Sequence, residues 1–125
     1  MSQPVQNISI STGEDYPEIR EGVKRVCADF PGSYWRGLEE TLAYPTEFVQ
    51  ALTASGYLGA LIPEEYGGIG LSMAQECEVA YELGQTALAF RSVFGTNVGI
   101  GSQGILMDGT PEQKRDILPR VASGE

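Results

Sequence analysis

The sequence contains no histidine, and its 125 residues include only two cysteines, Cys27 and Cys77. Without histidine, neither a Ser-His-Asp nor a Cys-His catalytic arrangement can form. Two cysteines outside a CxxC motif supply too few ligands for a zinc site. The N-terminus also lacks the basic region and apolar run of a secretory signal. We therefore expect two reduced, mostly buried thiols in a cytoplasmic protein, with a disulfide as the less favoured alternative.

Positive charge is scarce, because the chain has 8 basic and 17 acidic residues and a net charge of −9. The phosphate backbone of nucleic acids and the surface of anionic membranes both repel such a chain. No apolar stretch approaches the roughly 20 residues that a membrane-spanning helix needs. The sequence therefore predicts no binding to nucleic acid and no association with a membrane.

The residues that are present can fill a hydrophobic core, since 42% are hydrophobic and 20% are charged. This composition is typical of one soluble domain. Residues 1–13 are polar and without periodicity, which predicts a loose leader. Residues 14–125 carry apolar residues at helical spacing, which predicts an all-α helical bundle of about five helices. The expected helices are Ile19–Phe30, Pro45–Ser55, Ser72–Gly84, Ala87–Asp108 and a last helix from Thr110 onward.

Two of these helices have clear start signals. Ser72 with Gln75, and Thr110 with Gln113, have the spacing of a capping box, in which side chains and backbone N–H groups pair reciprocally. Pro111 suits the first position of the last helix, where a missing N–H costs nothing. We expect both helices to begin at these residues.

Other local patterns predict how the elements end and connect. Gly56 is expected to follow the second helix in a left-handed conformation, Gly84 to end the third helix, and Pro119 to kink or end the last one early. Residues 33–44 are expected to form a packed loop or short turn, residues 57–62 an extended buried connector, and residues 63–70 a turn-rich loop. The expected inner stripe of the third helix is Met73, Cys77, Ala80, Tyr81 and Leu83.

The run Gly99–Gly104 matches the dinucleotide-binding pattern GxGxxG. That motif binds a cofactor only between a strand and a long helix, with an acidic ribose partner about 20 residues further on. Here Gly109 and Pro111 break the following segment, and the acidic partner would fall near Glu125. We therefore expect the match to reflect helix packing and not cofactor binding.

Residues 92–100 are ambiguous in secondary structure. Their glycines and β-branched residues favour strand and turn over helix. A lone strand between two capped helices would have nothing to pair with, however. We expect one buried glycine-rich helix, in which Gly95, Gly99 and Gly104 let neighbouring helices approach closely.

Several sequence runs, in this order, resemble the N-terminal helical domain of the acyl-CoA dehydrogenase family. The resemblance extends from about Ile19 to Glu125. It rests on YPTEF from Tyr44, SGYL from Ser55, IPEEYGGIG from Ile62, GTPEQK from Gly109, LP from Leu118 and ASGE from Ala122.

The resemblance implies a three-part enzyme with this helical domain, a β domain and a C-terminal helical bundle. In the family a glutamate removes the α-proton of an acyl-CoA thioester while a hydride passes from the β-carbon to FAD. The glutamate and most of the FAD site belong to the other two domains. The resemblance thus implies no catalytic, FAD-binding or metal-binding residue in this chain, which alone should be inactive. It implies an acyl-CoA substrate, an electron-transfer flavoprotein or similar acceptor, and a homo-oligomer at full length.

The resemblance also identifies candidate substrate-binding residues, namely Arg91, Ser92, Gly95 and Thr96. Phe90-Arg91-Ser92 resembles the Tyr-Arg-Ser of glutaryl-CoA dehydrogenases, whose arginine meets the distal carboxylate of the substrate, a pairing that suits a guanidinium. This chain differs from those enzymes at two positions, with Gly84 in place of a glutamate and Gly95 in place of a serine.

Two questions remain open from the sequence. Arg91 could instead pair with a carboxylate such as Glu82, or with one in another domain. The alternative to a dehydrogenase domain is a stand-alone helical module for interaction or oligomerisation, because surface that other domains normally cover would be exposed.

Overall fold

A computed structural model describes residues 16–125 of the chain. Helices and short turns form this part, which contains no strand. The all-α prediction is confirmed, whereas the predicted leader over residues 1–13 lies outside the described residues. The α-helices are α1 Pro17–Ala28, α2 Gly32–Thr41, α3 Thr46–Ala54, α4 Met73–Thr86, α5 Arg91–Gly95, α6 Gln103–Asp108 and α7 Pro111–Ala122.

The segment after α1 is a helix, so the prediction of a loop at residues 33–44 is wrong. Pro31 adopts an extended conformation just before α2, and Leu42 ends the helix with a left-handed φ of 53°. Trp35 and Leu38, three residues apart, lie on the same side of α2 and pack into the core. The helix forms because this short apolar stripe finds a core to face, although two glycines lower its intrinsic propensity.

An aromatic cluster joins α2 to the end of α1 and to α3. The rings of Phe30, Tyr34, Trp35 and Phe48 meet mostly edge to face, with centroids 4.9–6.3 Å apart. The indole Nε1 of Trp35 donates a hydrogen bond to the carbonyl oxygen of Phe30 at 2.9 Å. The buried indole N–H is therefore satisfied, and ring packing of this kind adds to the stabilisation from burial.

The connector after α3 is buried as predicted but is wound rather than extended. Gly56 takes the left-handed φ of 82° that its position after α3 predicted, and a 3₁₀ turn follows at Tyr57–Gly59. Ala60 and Ile62 donate backbone hydrogen bonds to carbonyls three residues earlier in the chain. A buried segment must pair its backbone groups, and this one does so through the local turn together with the loop that follows it.

The loop of residues 63–70 folds back on this connector. It contains a 3₁₀ turn at Glu64–Tyr66, and Gly67 and Gly70 adopt φ values of 86° and 60°. The N–H of Ile69 bonds to the carbonyl of Gly59, and that of Leu71 to the carbonyl of Ala60. These bonds fix the point at which α4 starts.

The start of α4 is confirmed, but its predicted inner stripe is wrong at three of its five positions, Met73, Cys77 and Tyr81. Ser72 and Gln75 form both hydrogen bonds of the capping box. Met73 and Tyr81 are 59% and 66% exposed, and Cys77 is exposed as well, contrary to its predicted burial. The buried side chains of α4 are Glu76, Val79, Glu82 and the predicted Leu83, and Ala80 packs partly buried against the core.

The face of α4 that packs on α1 is set by ion pairs as well as by apolar residues. Arg20 of α1 places its Nε 2.7 Å from Glu78 Oε1 and 3.7 Å from Glu82 Oε1. Two glutamates can therefore turn towards α1 without an unpaired charge. Gly84 does not end the helix, which continues to Thr86 and leaves open space beside Gly84.

Helix α7 begins as predicted and ends later than predicted. Thr110 and Gln113 form a complete capping box, and Pro111 occupies the first turn. Pro119 lies within the helix, which nevertheless extends to Ala122 and buries Leu118 completely. The prediction that Pro119 ends the helix early is wrong, because packing against the 3₁₀ turns holds the last turn in place.

Candidate functional site

Residues 91–108 form one helical run with an irregular centre. Helix α5 passes into a π-helical segment, Thr96–Ser102, and then into α6 with helical backbone angles at both junctions. The prediction of a single glycine-rich helix is confirmed in outline. Counted as one, this run makes six helices in the described part of the chain, where about five were predicted. A π-helical turn inside an α-helix is rare and frequently lies at a functional site.

Ser102 supports the wide turn. It is completely buried, and its Oγ donates a hydrogen bond to the carbonyl oxygen of Asn97 at 2.5 Å. A widened turn displaces carbonyl groups from regular α-helical partners, and this hydroxyl satisfies one of them. Ser102 was not predicted as a structural residue, since its only signal in the sequence is the false GxGxxG match.

The helical run has one buried and one open side. Phe94, Val98 and Ser102 are buried completely. On the open side Ile100 and Met107 are 75% and 76% exposed.

The glycines of the run do not have the packing role that the sequence analysis assigned to them. A Cβ added at Gly99 or Gly104 would meet nothing within 4 Å in the described structure. Both are exposed. The prediction of close helix approach at these two positions is therefore wrong for this domain, and the predicted burial of the helix holds only for one side.

The GxGxxG run has no dinucleotide-binding geometry. Residues 99–104 lie in the π-helical segment and the start of α6, with helix before and after them. The motif needs a strand–turn–helix arrangement whose free N–H groups face a pyrophosphate. The expectation that the match is not a cofactor site is consistent with this helical context.

The four candidate substrate-binding residues lie within two turns of one another on this run. Arg91, Ser92 and Thr96 are exposed, and Gly95 is half-buried. The three atoms nearest to a Cβ built at Gly95 are Nη1, Cζ and Nε of Arg91, at 3.4, 3.5 and 3.9 Å. The guanidinium therefore lies along the helix surface, beside the bare backbone of Gly95.

Glu82 already forms an ion pair with Arg20, so it is a less favourable partner for Arg91. Within residues 16–125, no carboxylate lies within the 4.0 Å ion-pair distance of the Arg91 guanidinium. Arg91 thus offers its hydrogen-bond donors on an exposed part of the helical run. A planar guanidinium in this setting can bind a carboxylate through two parallel hydrogen bonds.

An apolar cleft of about 390 Å³ lies next to the start of this run. It is formed between α2 and the turn before α5, and Leu42 and Leu88 at its rim are strongly exposed. Its lining residues are Trp35, Leu38, Glu39, Leu42, Ala43, Ala87, Leu88 and Ala89. Exposed apolar surface of this kind is typical of a face that another domain or chain covers.

Two ionisable groups with shifted pKa values lie near α1 and not on the helical run. Burial raises the pKa of the Cys27 thiol; a hydrogen bond with Thr86 opposes this, and the charge of Glu82 adds to it. Burial also raises the pKa of Tyr57, with the charge of Arg25 opposing it. Both shifts favour the neutral form, so neither group is activated as a nucleophile.

The described residues contain no group of three or more His, Cys, Asp or Glu side chains placed to hold a metal ion. No helix in the described part is long and apolar enough to cross a membrane.

Residues 13–125 match the sequence profile of the acyl-CoA dehydrogenase N-terminal domain. (2S)-Methylsuccinyl-CoA dehydrogenase of Cereibacter sphaeroides is 42% identical over 115 residues, which are 90% of this chain and 20% of that protein. The mitochondrial very long-chain specific acyl-CoA dehydrogenase of Rattus norvegicus is 42% identical over 77 residues, 62% of this chain and 12% of that protein.

A solved structure shares the fold. A chain from work on the electron transferring flavoprotein of Acidaminococcus fermentans superposes with a TM-score of 0.81 at 24% identity, over 94% of this chain and 31% of that one. This likeness supports the fold alone. The matched part of the chain corresponds to 20% of the length of the methylsuccinyl-CoA dehydrogenase and 12% of that of the very long-chain specific enzyme.

Proposed function

The chain belongs to the family of acyl-CoA dehydrogenase N-terminal domains, and from this we propose that it forms one wall of the acyl pocket in a larger FAD-dependent enzyme. Relatives that share this domain are named as acyl-CoA dehydrogenases and extend well beyond it. In such an enzyme FAD would accept the hydride that leaves the β-carbon of the acyl chain. The match over residues 13–125 favours this role over a stand-alone interaction module.

The described residues do not fit FAD by themselves. The only glycine pattern typical of a dinucleotide site lies in helical conformation, so it forms no phosphate-binding loop. We therefore assign FAD and the catalytic base to segments outside this sequence. The purified chain should contain no stoichiometric flavin and should not oxidise any acyl-CoA.

We propose further that Arg91 binds a carboxylate at the far end of the acyl group. Its guanidinium is exposed and has no carboxylate partner within the described residues. It also lies at the first residue of the helical run, where the macrodipole disfavours a cation by about 0.3–1 kcal/mol and a bound anion offsets this. Ser92, Gly95 and Thr96 follow along the same run and would complete the pocket wall.

One relative supports this substrate class by its name. Methylsuccinyl-CoA carries a free carboxylate, and the dehydrogenase named for it is 42% identical to this chain. The match covers 90% of the chain and therefore includes most of the described residues. This likeness, together with the unpaired guanidinium, makes a dicarboxylyl-CoA the substrate class that we propose.

The open side of the helical run and the rim of the apolar cleft are the surfaces that we assign to contacts with the remaining domains. We propose that the full-length enzyme is a cytoplasmic homo-oligomer that passes electrons to an electron-transfer flavoprotein or a similar acceptor.

The proposal is tested in the full-length enzyme with Arg91→Ala. We expect kcat/KM for methylsuccinyl-CoA to fall by about 10²-fold, because bound substrate and the other domains would bury the charge pair, and truncating one partner of a buried pair costs about 2–5 kcal/mol. Butyryl-CoA, which has no distal carboxylate, should change by less than about threefold. Arg115→Ala, an exposed arginine on α7, is the matched control. Equal losses for both substrates would reduce Arg91 to a structural role.

A further inference from the structure

Helix α7 ends in a Schellman motif, in which a left-handed glycine turns the backbone out of the helix. The N–H of Glu125 donates to the carbonyl oxygen of Arg120 at 3.0 Å, and the N–H of Gly124 donates to that of Val121 at 3.1 Å. These are the two hydrogen bonds of the motif, and Gly124 has the left-handed φ of 76° that it requires. The chain therefore leaves α7 beside its last turn, next to Arg120.

Close packing against α3 accompanies this turn. A Cβ added at Gly124 would lie 2.8 Å from Oγ1 of Thr53, which itself donates a hydrogen bond to the carbonyl oxygen of Val49 at 2.8 Å. Arg120 Nε and Glu125 Oε1 lie 3.1 Å apart and join the same two residues that the backbone bond joins. The direction of the chain at Glu125 therefore depends on the backbone bonds and on the contact with α3, to which the exposed ion pair adds little.

A cavity of about 410 Å³ lies beside this exit, and Gly124 and Glu125 are part of its wall. α3, the 3₁₀ turn of Tyr57–Gly59, the π-helical segment and α7 supply most of the remaining lining. The lining residues are Tyr44, Val49, Leu58, Asn97, Ile117, Arg120, Val121, Gly124 and Glu125. Pockets that bind ligands have volumes of roughly 300–1,000 Å³. The cavity is thus large enough to receive side chains of another segment.

The lining combines apolar side chains with a free amide. Val49, Ile117 and Val121 are half-buried, so an occupant that covers them removes further apolar surface from water. The side-chain amide of Asn97 also lies in the wall and forms no hydrogen bond within residues 16–125. An extended segment with an apolar residue matches this lining, because it offers an apolar side chain next to free backbone N–H and C=O groups.

From this we infer that the cavity binds the segment that follows Glu125 in the full-length enzyme, with an apolar side chain of that segment in the cavity and its backbone hydrogen-bonded to the Asn97 amide. The inference rests on the proposed function only in that this domain continues into further domains, as its longer relatives do. Because Glu125 itself lies in the cavity wall, the next residues start at the rim, and no long loop has to close to bring them there. A distant segment or a second copy of the chain would lose more entropy on binding at this place.

The test places the photo-cross-linker p-benzoylphenylalanine at Tyr44 in the full-length enzyme. Tyr44 lines the cavity, is 62% exposed and is already aromatic, so the exchange disturbs the fold little. We expect the main cross-linked peptide to lie within about ten residues after Glu125, because an extended chain advances roughly 3.3–3.6 Å per residue and soon leaves the cavity. The control places the same probe at the exposed Arg115 of α7, where this cross-link should be absent. Main cross-links to a distant segment or to a second subunit, or no cross-link at all, would overturn the inference.

Filling the cavity gives a second measurement. Val121→Phe adds a ring to the cavity wall, and we expect a protease of low specificity to cleave the full-length enzyme just after Glu125 about 10-fold faster, because the displaced segment is more accessible. Arg115→Phe, which adds the same ring outside the cavity, should leave the cleavage rate unchanged. An unchanged rate in a folded Val121→Phe variant contradicts the inference, and the Tyr44 probe decides where that variant does not fold.

The inference and the proposed function can fail separately. FAD content and acyl-CoA oxidation by the unmodified full-length enzyme test the proposed function, whereas the cross-link reports where the segment lies. An active flavoenzyme whose Tyr44 probe reacts elsewhere would overturn the inference alone. A full-length protein with the expected cross-link but with neither FAD nor this oxidation would overturn the proposed function alone.

Discussion

The domain has two contrasting regions. The first is a closed region made of α1, α4 and the aromatic cluster, and the second is the helical run of residues 91–108. In the first region Glu78 and Glu82 of α4 face Arg20 of α1, and the aromatic rings pack edge to face. In the second, one side is buried as tightly as any core. Its other side presents exposed Ile100 and Met107 beside glycines with open space around them.

This difference separates residues that stabilise the fold of the domain from residues that do not. Exposed glycines lower helix stability, and exposed apolar side chains gain nothing from burial within the chain. The open side therefore contributes little to folding. Its composition is compatible with the proposed acyl pocket and with the proposed contacts to further domains.

Truncating one apolar residue in each region should have very different effects on stability. Phe48→Ala should lower the free energy of unfolding by about 3–5 kcal/mol, because the ring is almost wholly buried and contacts Phe30 and Trp35. Ile100→Ala, on the open side, should change it by less than about 0.5 kcal/mol. Urea unfolding of the chain measures both. Similar losses for the two variants would mean that the open side also supports folding.

Ser102 tests the buried side of the second region. Ser102→Ala should lower the free energy of unfolding by about 1–2 kcal/mol, since it leaves the Asn97 carbonyl without its hydroxyl partner. Ser92→Ala on the exposed surface is the matched control and should be close to neutral. Amide hydrogen exchange should also quicken selectively in residues 96–102. A loss of stability without that local change would mean that Ser102 does not hold the π-helical segment.

A smaller effect, of opposite sign, comes from the exposed glycines. Gly104→Ala should raise the free energy of unfolding of the chain by about 0.5–1 kcal/mol, because an added methyl meets nothing and alanine favours the helix. Gly59→Ala is the matched control. Its Cβ would lie 3.2 Å from Ala122 Cβ and Gly68 Cα, so it should be destabilising. If Gly104→Ala lowers the free energy of unfolding of the chain, this side of the helical run does not have room for an added methyl group.

The parts of the fold that the sequence predicts correctly are those decided by neighbouring residues. Both capping boxes and the left-handed Gly56 depend on residues at most three positions apart, and the structure contains all three. The four candidate site residues lie on one helical run, as the glycine-rich helix predicted. Their role as a substrate site stays a prediction.

The errors come from partners that are distant in sequence. The buried face of α4 includes Glu76 and Glu82, which no apolar periodicity identifies as inward. The cation on this face, Arg20, is 58 residues from Glu78. Ser102 likewise had no visible role until the π-helical segment placed it opposite the Asn97 carbonyl.

The smallest effect that we predict is a pH dependence of the stability of the chain, which arises from Cys27 in the closed region. Burial is the main reason that the pKa of Cys27 is raised, which means that folding favours the neutral thiol. A raised folded pKa contributes stability below the unfolded value, and this contribution is lost as the pH rises through the unfolded and then the folded pKa. We therefore expect the stability of the chain relative to Cys27→Ser to decline as the pH rises above about 8.5, the pKa of an unperturbed thiol.

Cys77→Ser provides the control for this measurement. Cys77 lies on the exposed side of α4, whereas Cys27 contacts the core beside Thr86. Urea midpoints of the chain and both variants, measured across the same pH range, give the comparison directly. Burial also raises the pKa of Tyr57, and the charge of Cys27 adds to that shift, so the difference from Cys27→Ser reports the ionisation of both groups. If the stability of the chain declines by the same amount relative to Cys77→Ser, burial of the Cys27 thiol is not the cause of the pH dependence.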